Sequence, residues 1–422
     1  MTRNVEALVI GAGPGGMEAA LALKSSGIES ILVIERENAP GGILMQCIHN
    51  GFGLHHFKEE LTGPEYAERC LEAVKKTDIE VLVNTCALDI IDNGDTKKVI
   101  ALSEENGMMD IEARVIILAM GCRERNRGNI AIPGSRPAGI MTAGLAQKMS
   151  NIYGYLPGKE IVILGSGDIG LIMARRLTWE GARVRAVIEA QPCPGGLNRN
   201  IVQCLNDFDI PLYLSHTITN IEGKNRIKKV YVSPIDAEFN PLAKGSFTLE
   251  CDCLLLSIGL IPENELSLKA GIIMDPVTKG ALVNADLMTS VNGVFACGNV
   301  LHVHDLVDYV SEESKYCGTR AAMYVKGELK KGREIPVKAG NMVRYLLPRK
   351  VRPGEQMLLS LRCIVPMVNA SLVIKTDKDV IYTKKYRKIF PSEMQRLPVE
   401  NIPGDAEYLE VFFDNKKPVA GV

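Results

Sequence analysis

The sequence predicts an α/β protein with two Rossmann-like folds, the first interrupted by the second, followed by an all-β, sandwich-like domain. Three observations support this prediction. Glycine-rich segments directly follow short apolar runs at two places, beginning at Gly11 and at Gly165. Strand-like and helix-like patterns alternate as far as about Lys326, which is typical of parallel sheets. After Pro336 there are only short strand-like runs separated by proline and glycine, as in a β-sandwich.

Length and composition limit the class of protein. A chain of 422 residues predicts two or three domains. The formal net charge of -1 gives no reason to expect attraction to nucleic acid or to a membrane surface. No stretch approaches the roughly 18 uncharged apolar residues of a membrane helix, and the first apolar run is too short for a signal peptide. We therefore expect a cytoplasmic protein without membrane insertion.

Cysteine spacing excludes several metal and redox sites. The 11 cysteines include no C-x-x-C pair. Zinc ribbons, iron–sulfur clusters held by one chain and thioredoxin-like dithiols all favour such pairs. The sequence therefore predicts reduced thiols, most of them buried.

The first glycine motif lies between a predicted strand, Val5 to Ile10, and a predicted helix that ends near Ser26. Its three glycines allow a tight turn, close approach of a pyrophosphate, and close packing of helix against strand. A second strand then ends in an acidic residue suited to the adenosine ribose hydroxyls. The residues concerned are Gly11, Gly13, Gly16 and Glu35.

The second motif repeats this pattern after the run Ile161 to Leu164. Glu189 ends the next strand, and no arginine stands beside it, although Arg183 and Arg185 precede it. A carboxylate at this place favours a ribose 2'-hydroxyl over a 2'-phosphate, so NAD is expected rather than NADP. The predicted cofactor-binding residues are Gly165, Gly167, Asp168, Gly170 and Glu189.

The predicted domains follow from these patterns. The first fold comprises residues 1–148 and 276–332, with the apolar run of residues 291–299 returning to it, and the second fold comprises 149–275. The β-rich domain comprises 338–422 and contains 15 basic and 9 acidic residues. This positive charge fits either a docking surface for a partner or a solvated face. The strands predicted there are Met342–Leu347, Gln356–Cys363, Ala370–Lys375, Val380–Lys384 and Tyr408–Phe413.

The chain resembles the pyridine nucleotide-disulfide oxidoreductase superfamily over about residues 4–330. The resemblance rests on the two glycine loops, on the strand VIILAMG that ends the first half of the first fold, and on the strand TSVNGVFACGN that returns to that fold. The resemblance implies FAD in the first fold and NAD(P)H in the second. It implies that Gly298 and Asn299 approach the ribityl chain, although the superfamily usually has aspartate at the latter position. Further residues implied in FAD binding are Gly42 and Gly121.

The segment GGILMQCIHNG departs from the disulfide reductases of that superfamily. Counted from Gly42, the two positions at which those enzymes carry their cysteine pair hold Leu44 and His49. Disulfide reduction is therefore not expected.

Other segments, including GNVLHVHDLVDYVSEE, are similar to a narrower branch of the superfamily. That branch contains flavoprotein subunits of multi-subunit enzymes, among them opine oxidase, hydrogen cyanide synthase, dye-linked proline dehydrogenase and the α subunit of sarcosine oxidase. The resemblance implies partners such as other flavoprotein or iron–sulfur subunits, including a glycerol-3-phosphate dehydrogenase-like protein. Self-association into a homo-oligomer fits the sequence equally well.

Three side chains near the implied flavin motifs are candidate catalytic residues: Cys47, His49 and His302. A histidine close to a flavin can stabilise negative charge or act as an acid or base near neutral pH. His302 and His304 also have the spacing of a metal-binding pair. The sequence shows no third ligand beside them, so we predict no metal site.

Three functions are consistent with these patterns. The first is an electron-transfer subunit that exchanges hydride between NADH and FAD for a separate dehydrogenase. The second is a self-sufficient dehydrogenase or oxidase of an amine or hydroxy acid. The third is a non-catalytic assembly subunit that binds nucleotide. Two intact glycine loops favour the first two, and the absence of a clear base or dithiol favours the first.

Overall fold

The computed structural model describes residues 2–330 and 332–414, which form two compact units. One unit contains the described residues up to Cys122 and those from Pro262 onward, and the other is Arg123–Ile261. The sequence prediction placed the inserted domain at 149–275 instead. Among the described residues, no helix is long and apolar enough to cross a membrane.

Eight α-helices lie in the described residues: α1 (Pro14–Ser25), α2 (Gly63–Lys75), α3 (Arg127–Ile130), α4 (Ala143–Asn151), α5 (Asp168–Trp179), α6 (Asn198–Cys204), α7 (Glu265–Lys269) and α8 (Val307–Lys326). Short 3-10 helices cover Gly42–Gln46, Asn206–Phe208 and Gly298–Val300.

The strands of the same residues are β1 (Thr2–Ile10), β2 (Ile31–Ile34), β3 (Asn50–Phe52), β4 (Leu61–Thr62), β5 (Glu80–Leu82), β6 (Thr85–Asp92), β7 (Lys97–Ser103), β8 (Gly107–Leu118), β9 (Cys122–Glu124), β10 (Ile140–Thr142), β11 (Glu160–Leu164), β12 (Arg183–Glu189), β13 (Leu212–Leu214), β14 (His216–Gly223), β15 (Ile227–Pro234), β16 (Phe247–Glu250), β17 (Cys253–Leu256), β18 (Leu260–Pro262), β19 (Val294–Ala296), β20 (Ile335–Ala339), β21 (Val343–Leu347), β22 (Lys350–Val351), β23 (Met357–Cys363), β24 (Met367–Lys375), β25 (Val380–Ile389), β26 (Gln395–Val399) and β27 (Leu409–Asp414).

A seven-stranded sheet organises the first unit. Strands β5, β2, β1 and β8 run parallel, and β19 pairs with the last residues of β8. The first half of the long strand β8 instead pairs antiparallel with β7, which pairs with β6. Helices α1 and α8 cross closely, because a Cβ at Gly318 would fall 2.3 Å from the Ala19 carbonyl oxygen. The carboxyl ends of the parallel strands and the start of α1 thus meet at one edge, where nucleotides bind in such sheets.

The second unit repeats this design with a five-stranded parallel sheet in the order β10-β17-β11-β12-β13. A three-stranded antiparallel sheet, β14-β15-β16, shares an apolar core with it. The sequence prediction of two Rossmann-like folds is therefore confirmed.

The β-rich region belongs to the first unit and consists of two sheets around one apolar core. Their orders are β22-β20-β27-β24-β25 and β21-β23-β26. All five predicted strands are present, and their observed ends differ from the predicted ends by a few residues. Strands β20, β22 and β26 were missed, since Pro336 and Pro398 interrupt two of them and the third has two residues. Residues 415–422 of the predicted domain lie outside the described residues.

Candidate functional site

The first glycine loop joins β1 to α1. A Cβ at Gly11 would lie 2.5 Å from the Ala119 carbonyl oxygen, and one at Gly16 would lie 1.8 Å from the Gly11 carbonyl oxygen. These two glycines are therefore required by the protein's own packing. Gly13 is different, because the nearest atom to a Cβ there is the Gly42 Cα at 4.0 Å. The space above Gly13 is open for a ligand, as a pyrophosphate site needs.

The start of α1 adds attraction for an anion. Gly13 is the N-cap and has no side chain to satisfy the N–H groups of the first turn, which also contains no acidic residue. Unpaired N–H groups and the helix dipole favour a phosphate at this position.

Glu35 lies at the end of β2 and is held from both sides. The backbone N–H of Ala12 donates to Oε2 at 2.8 Å, and that of Glu37 donates to Oε1 at 3.0 Å. The side chain is only 7% exposed. Each carboxylate oxygen has a further lone pair, so the group is preorganised to accept hydrogen bonds from two ribose hydroxyls.

Other glycines predicted to contact this dinucleotide surround the loop. Gly42 has φ 58°, and a Cβ there would lie 3.1 Å from the Gly13 Cα. Gly121 and Gly298 have φ values of 72° and 71°, in the left-handed region that favours glycine. The Gly298 N–H donates to Glu313 Oε1 at 2.7 Å. These residues lie in three separate segments of the chain and belong to the same unit.

The Asn299 side chain is already engaged within the protein. Its Oδ1 accepts the His304 backbone N–H at 2.9 Å, and its Nδ2 donates to the Cys122 sulfur at 3.6 Å. The second contact needs an amide, because a carboxylate has no hydrogen to donate. This contact gives a local reason for asparagine at a position where the superfamily usually has aspartate.

In the second unit, Glu189 repeats the geometry of Glu35. Its Oε2 accepts the Ser166 N–H at 2.8 Å and the Ser166 hydroxyl at 2.6 Å, while its Oε1 accepts the Gln191 N–H at 2.8 Å. Arg185 lies 3.5 Å from Glu160 and pairs with it. The polar contacts of Glu189 are thus hydrogen bonds from its own loops.

In the second glycine loop, the protein's own packing requires glycine at two positions. A Cβ at Gly165 would meet the Ser257 carbonyl oxygen at 2.1 Å, and one at Gly170 would meet the Ser257 Cβ at 2.6 Å. At Gly167, the N-cap of α5, the nearest atom to a Cβ is the Ser257 hydroxyl oxygen at 3.1 Å.

Asp168 has a role that the motif did not reveal. Its Oδ1 accepts the Leu197 N–H at 2.8 Å and the Asn200 amide at 2.6 Å. The Gly195 N–H meanwhile donates to the Ser166 hydroxyl at 2.8 Å. Asp168 therefore holds the Gly195-Gly196 segment over the glycine loop. The first unit has a matching contact, from the Gly41 N–H to the Ala12 carbonyl.

Cys47 and His49 follow the 3-10 helix Gly42–Gln46, and both are half-buried. The Cys47 thiol donates to the Ile43 carbonyl at 3.3 Å, and the His49 ring lies 4.9 Å from the Phe52 ring. His302 is in a different segment, beyond Gly298, and is 1% exposed.

His302, His304 and Glu313 form a buried group, here called the histidine cluster. Nε2 of His302 is 2.8 Å from Glu313 Oε2, and Nε2 of His304 is 3.4 Å from the same oxygen. Burial lowers the pKa of His302, and the adjacent His304 adds to this effect. Burial acts to raise the pKa of Glu313, but attraction to the two histidines outweighs it and holds that pKa well below its usual range. Glu313 was not predicted from the sequence, since it lies in α8, nine residues after His304, with no local motif.

Asp308 anchors the segment that follows His49. Its carboxylate accepts the backbone N–H groups of Gly53, His55 and His56 at 3.2, 3.2 and 2.8 Å. His56 Nε2 in turn lies 3.1 Å from Glu18 Oε1. The loop is thereby attached to both α1 and α8, which frame the first glycine loop.

The His56–Glu18 contact predicts a pH dependence. Its hydrogen bond with Glu18 raises the pKa of His56 against the opposing effect of burial; Asp308 also raises it and Lys315 lowers it. The stabilisation is therefore fully present below the unfolded-state pKa of about 6.5 and is lost as pH rises through the higher folded value. We expect His56→Gln to abolish this part of the fall in unfolding free energy between about pH 6 and pH 8.

Urea unfolding of both proteins at each pH measures the effect. His55→Gln is the matched control, because the His55 ring is exposed and the residue precedes His56 directly. An unchanged pH profile in His56→Gln would refute the assignment.

Comparison with known proteins agrees with this geometry. The sequence profile described as "pyridine nucleotide-disulphide oxidoreductase" matches residues 5–323. Hydrogen cyanide synthase subunit HcnB of Pseudomonas aeruginosa is 25% identical over 292 residues, 64% of this chain and 60% of that protein. An opine oxidase subunit of Agrobacterium tumefaciens is 25% identical over 278 residues, 63% of this chain and 54% of that protein. The chain thus spans less than two thirds of either relative.

Among solved structures, thioredoxin reductase of T. acidophilum superposes with a TM-score of 0.62 at 19% identity. The match covers 77% of this chain and 99% of that one, and it shows the shared fold. The family uses FAD and NAD(P)H, and the two glycine loops, with open space above Gly13, fit two dinucleotides. The chain belongs to the pyridine nucleotide-disulphide oxidoreductase family.

Proposed function

We propose that this chain exchanges hydride between NADH and a bound FAD, as the electron-transfer subunit of a multi-subunit dehydrogenase. The observation that carries the proposal is the repeated cradle. Each unit has a glycine loop at a helix N-terminus and a buried carboxylate held by that loop's own N–H, at 2.8 Å in both cases. Two such cradles in one chain suit two dinucleotides that react with each other.

In this proposal the residues of the chain bind the two cofactors and orient them. When both cofactors are bound, NADH supplies a hydride and FAD accepts it. Glu35 and Glu189 fix the adenosine ends through their ribose hydroxyls, and the starts of α1 and α5 fix the phosphates. Hydride exchange needs no side chain as acid or base, so Cys47, His49 and His302 need not take part in it.

The two sites differ in charge, and this difference fits their roles. The first turn of α1 contains no acidic residue, whereas that of α5 contains Asp168. A carboxylate at a helix N-terminus competes with phosphate for the same positive potential. We therefore propose tight, resident binding of FAD by the first unit, and weaker, exchangeable binding of NADH by the second.

Reduction of disulfides is not part of the proposal. The chain has no C-x-x-C, and the cysteine pair closest in sequence, Cys251 and Cys253, is buried. Burial raises the pKa of each thiol to about 12, so neither forms the reactive thiolate near neutral pH.

Partners and compartment are further parts of the proposal. HcnB and the opine oxidase relative are both named as enzyme subunits. We propose a flavoprotein or iron–sulfur partner, a glycerol-3-phosphate dehydrogenase-like protein being the specific case suggested by the resemblance. We also propose a cytoplasmic location, which the absence of disulfide bonds among the described cysteines supports.

Anaerobic titration tests the central step. The FAD-loaded chain should lose its visible flavin absorption on addition of NADH, and the reduced protein should return electrons to NAD. If NADH does not reduce the flavin and the reduced protein does not reduce NAD, the proposal is wrong. Purification of the untagged native protein tests the partner separately: co-elution with a second flavoprotein or an iron–sulfur protein is expected, and an active lone homodimer would favour the self-sufficient enzyme.

A substitution at Glu189 tests coenzyme choice. Glu189→Gln should raise KM for NADH about tenfold or more, since hydrogen bonds to a charged acceptor are worth about 1.5–3 kcal/mol. KM for NADPH should change little, so the preference for NADH narrows. Steady-state reduction of an artificial acceptor measures both constants. Glu180→Gln is the control, because Glu180 pairs with Arg176 at the far end of α5. A wild-type chain that prefers NADPH would contradict the prediction.

A further inference from the structure

The histidine cluster combines three side chains whose donor atoms are two imidazole nitrogens and one carboxylate oxygen. One such atom from each residue lies within 4.8 Å of the others. The side chains of His302, His304 and Glu313 are 1%, 2% and 10% exposed. The hydride exchange proposed above uses none of them, so their convergence needs another explanation.

Hydrogen bonding determines which nitrogen of His304 carries its proton. Nδ1 lies 3.0 Å from the His302 carbonyl oxygen and 3.3 Å from Asn299 Oδ1. The orientation of the Asn299 amide is itself determined, because Oδ1 accepts the His304 backbone N–H at 2.9 Å. Nδ1 therefore faces only acceptors in these contacts and carries a proton.

Nε2 of His304 faces the Glu313 carboxylate oxygen at 3.4 Å. In this buried site either a proton on Nε2 or a metal cation must lie between the two atoms, because a bare lone pair and a carboxylate oxygen repel each other. His302 adds an irregularity, since its buried Nδ1 has no hydrogen-bond partner among the described residues.

We propose that the histidine cluster binds a divalent transition-metal ion of the zinc type through His302, His304 and Glu313. Two imidazoles and one carboxylate form a ligand set that zinc uses when it keeps a fourth position for another ligand. Hard cations such as Mg²⁺ prefer oxygen ligands and are not expected here.

The distances fit this assignment with a small adjustment. Ligand bonds of about 2.0–2.1 Å in a tetrahedron place neighbouring donor atoms about 3.3 Å apart. The His304–Glu313 distance of 3.4 Å already agrees. The His302–Glu313 distance of 2.8 Å must lengthen by about half an ångström, which a side-chain rotation supplies.

The surrounding contacts are those of a supported metal ligand. His304 Nδ1 faces Asn299 Oδ1 and the His302 carbonyl, and Glu313 Oε1 accepts the Gly298 N–H at 2.7 Å. Partners of this kind orient metal ligands and fix their tautomer. Because Gly298 and Asn299 precede the cluster directly, a bound ion would join this turn to α8.

Zinc binding to the full-length chain tests the proposal. The protein is stripped with a chelator and titrated with Zn²⁺ against a chromophoric competitor, and one ion per chain is expected. His304→Gln and Glu313→Gln should each weaken the affinity by a factor of about 100 or more, because loss of a supporting contact alone costs 10–100-fold. Zn²⁺ should also raise the unfolding temperature of the wild type but not of the variants.

Controls separate the site from adventitious binding. His55→Gln removes an exposed histidine of the same unit and should leave zinc affinity unchanged. FAD content and the unfolding temperature without metal show whether each variant folds, and His304→Gln provides the test if Glu313→Gln does not fold. The proposal would be overturned if the wild type bound zinc no more tightly than His304→Gln, or if His55→Gln lost as much zinc affinity as His304→Gln. The histidine cluster would then be a hydrogen-bonded ion pair.

Discussion

Replacement of Gly13 with alanine is expected to remove FAD from a chain that still folds. Gly13 has φ -71° and ψ 175°, an extended conformation that alanine adopts readily. Its added methyl group would lie 4.0 Å from the nearest protein atom, the Gly42 Cα. We expect a change in the unfolding free energy of the apoprotein within about 0.5 kcal/mol. FAD affinity should fall by a factor of about 100 or more, or about 2.7 kcal/mol, since the methyl occupies the pyrophosphate's place.

Two other glycines provide the controls. Gly16→Ala should destabilise the fold itself, because its Cβ would lie 1.8 Å from a backbone oxygen. Gly404→Ala should change neither stability nor FAD binding, because no atom lies within 4 Å of its Cβ position. Flavin content, reconstitution with FAD, and thermal unfolding of the apoproteins measure these effects. Wild-type FAD affinity in Gly13→Ala would show that the first loop is not the flavin site.

Replacement of Asp286 with asparagine is expected to cost about 3–5 kcal/mol of unfolding free energy. Asp286 is 0% exposed and forms ion pairs with Arg320 of α8 and with Arg352, which follows β22. Burial acts to raise its pKa, but hydrogen bonding to Arg352 and attraction to Arg320 lower it, so the carboxylate is charged near neutral pH. The amide would leave two largely buried guanidinium groups without their main counter-charge.

Urea unfolding of the full-length chain measures this loss, and a probe in the β-rich region should report it first, because Arg352 belongs to that region. Glu410→Gln is the control. Glu410 pairs with Lys375 at 2.9 Å on a partly exposed face, where an ion pair is worth less than about 1 kcal/mol. A loss in Asp286→Asn no larger than in this control would contradict the argument.

The contacts that hold Glu35 and Glu189 lie within one β-α-β unit, so the sequence could predict that each carboxylate lies beside its glycine loop. Each carboxylate follows its glycine loop by one helix and one strand, so the geometry of a β-α-β unit places it beside the loop. The same reasoning could not predict the role of Asp308, because this residue binds the loop of His55 and His56 from more than 250 positions away in the sequence. No local pattern marks such a pair.

The sequence alone determined the two cradles and the β-rich region, because tight turns, apolar periodicity and acidic strand ends depend on residues a few positions apart. The tertiary structure decided the histidine cluster. His302 and His304 show the spacing of a ligand pair, but Glu313 becomes the third member only when α8 folds back beside the Gly298 turn. Burial then removes the water that would otherwise solvate these groups, so their donors and acceptors must be satisfied by one another or by a bound ion.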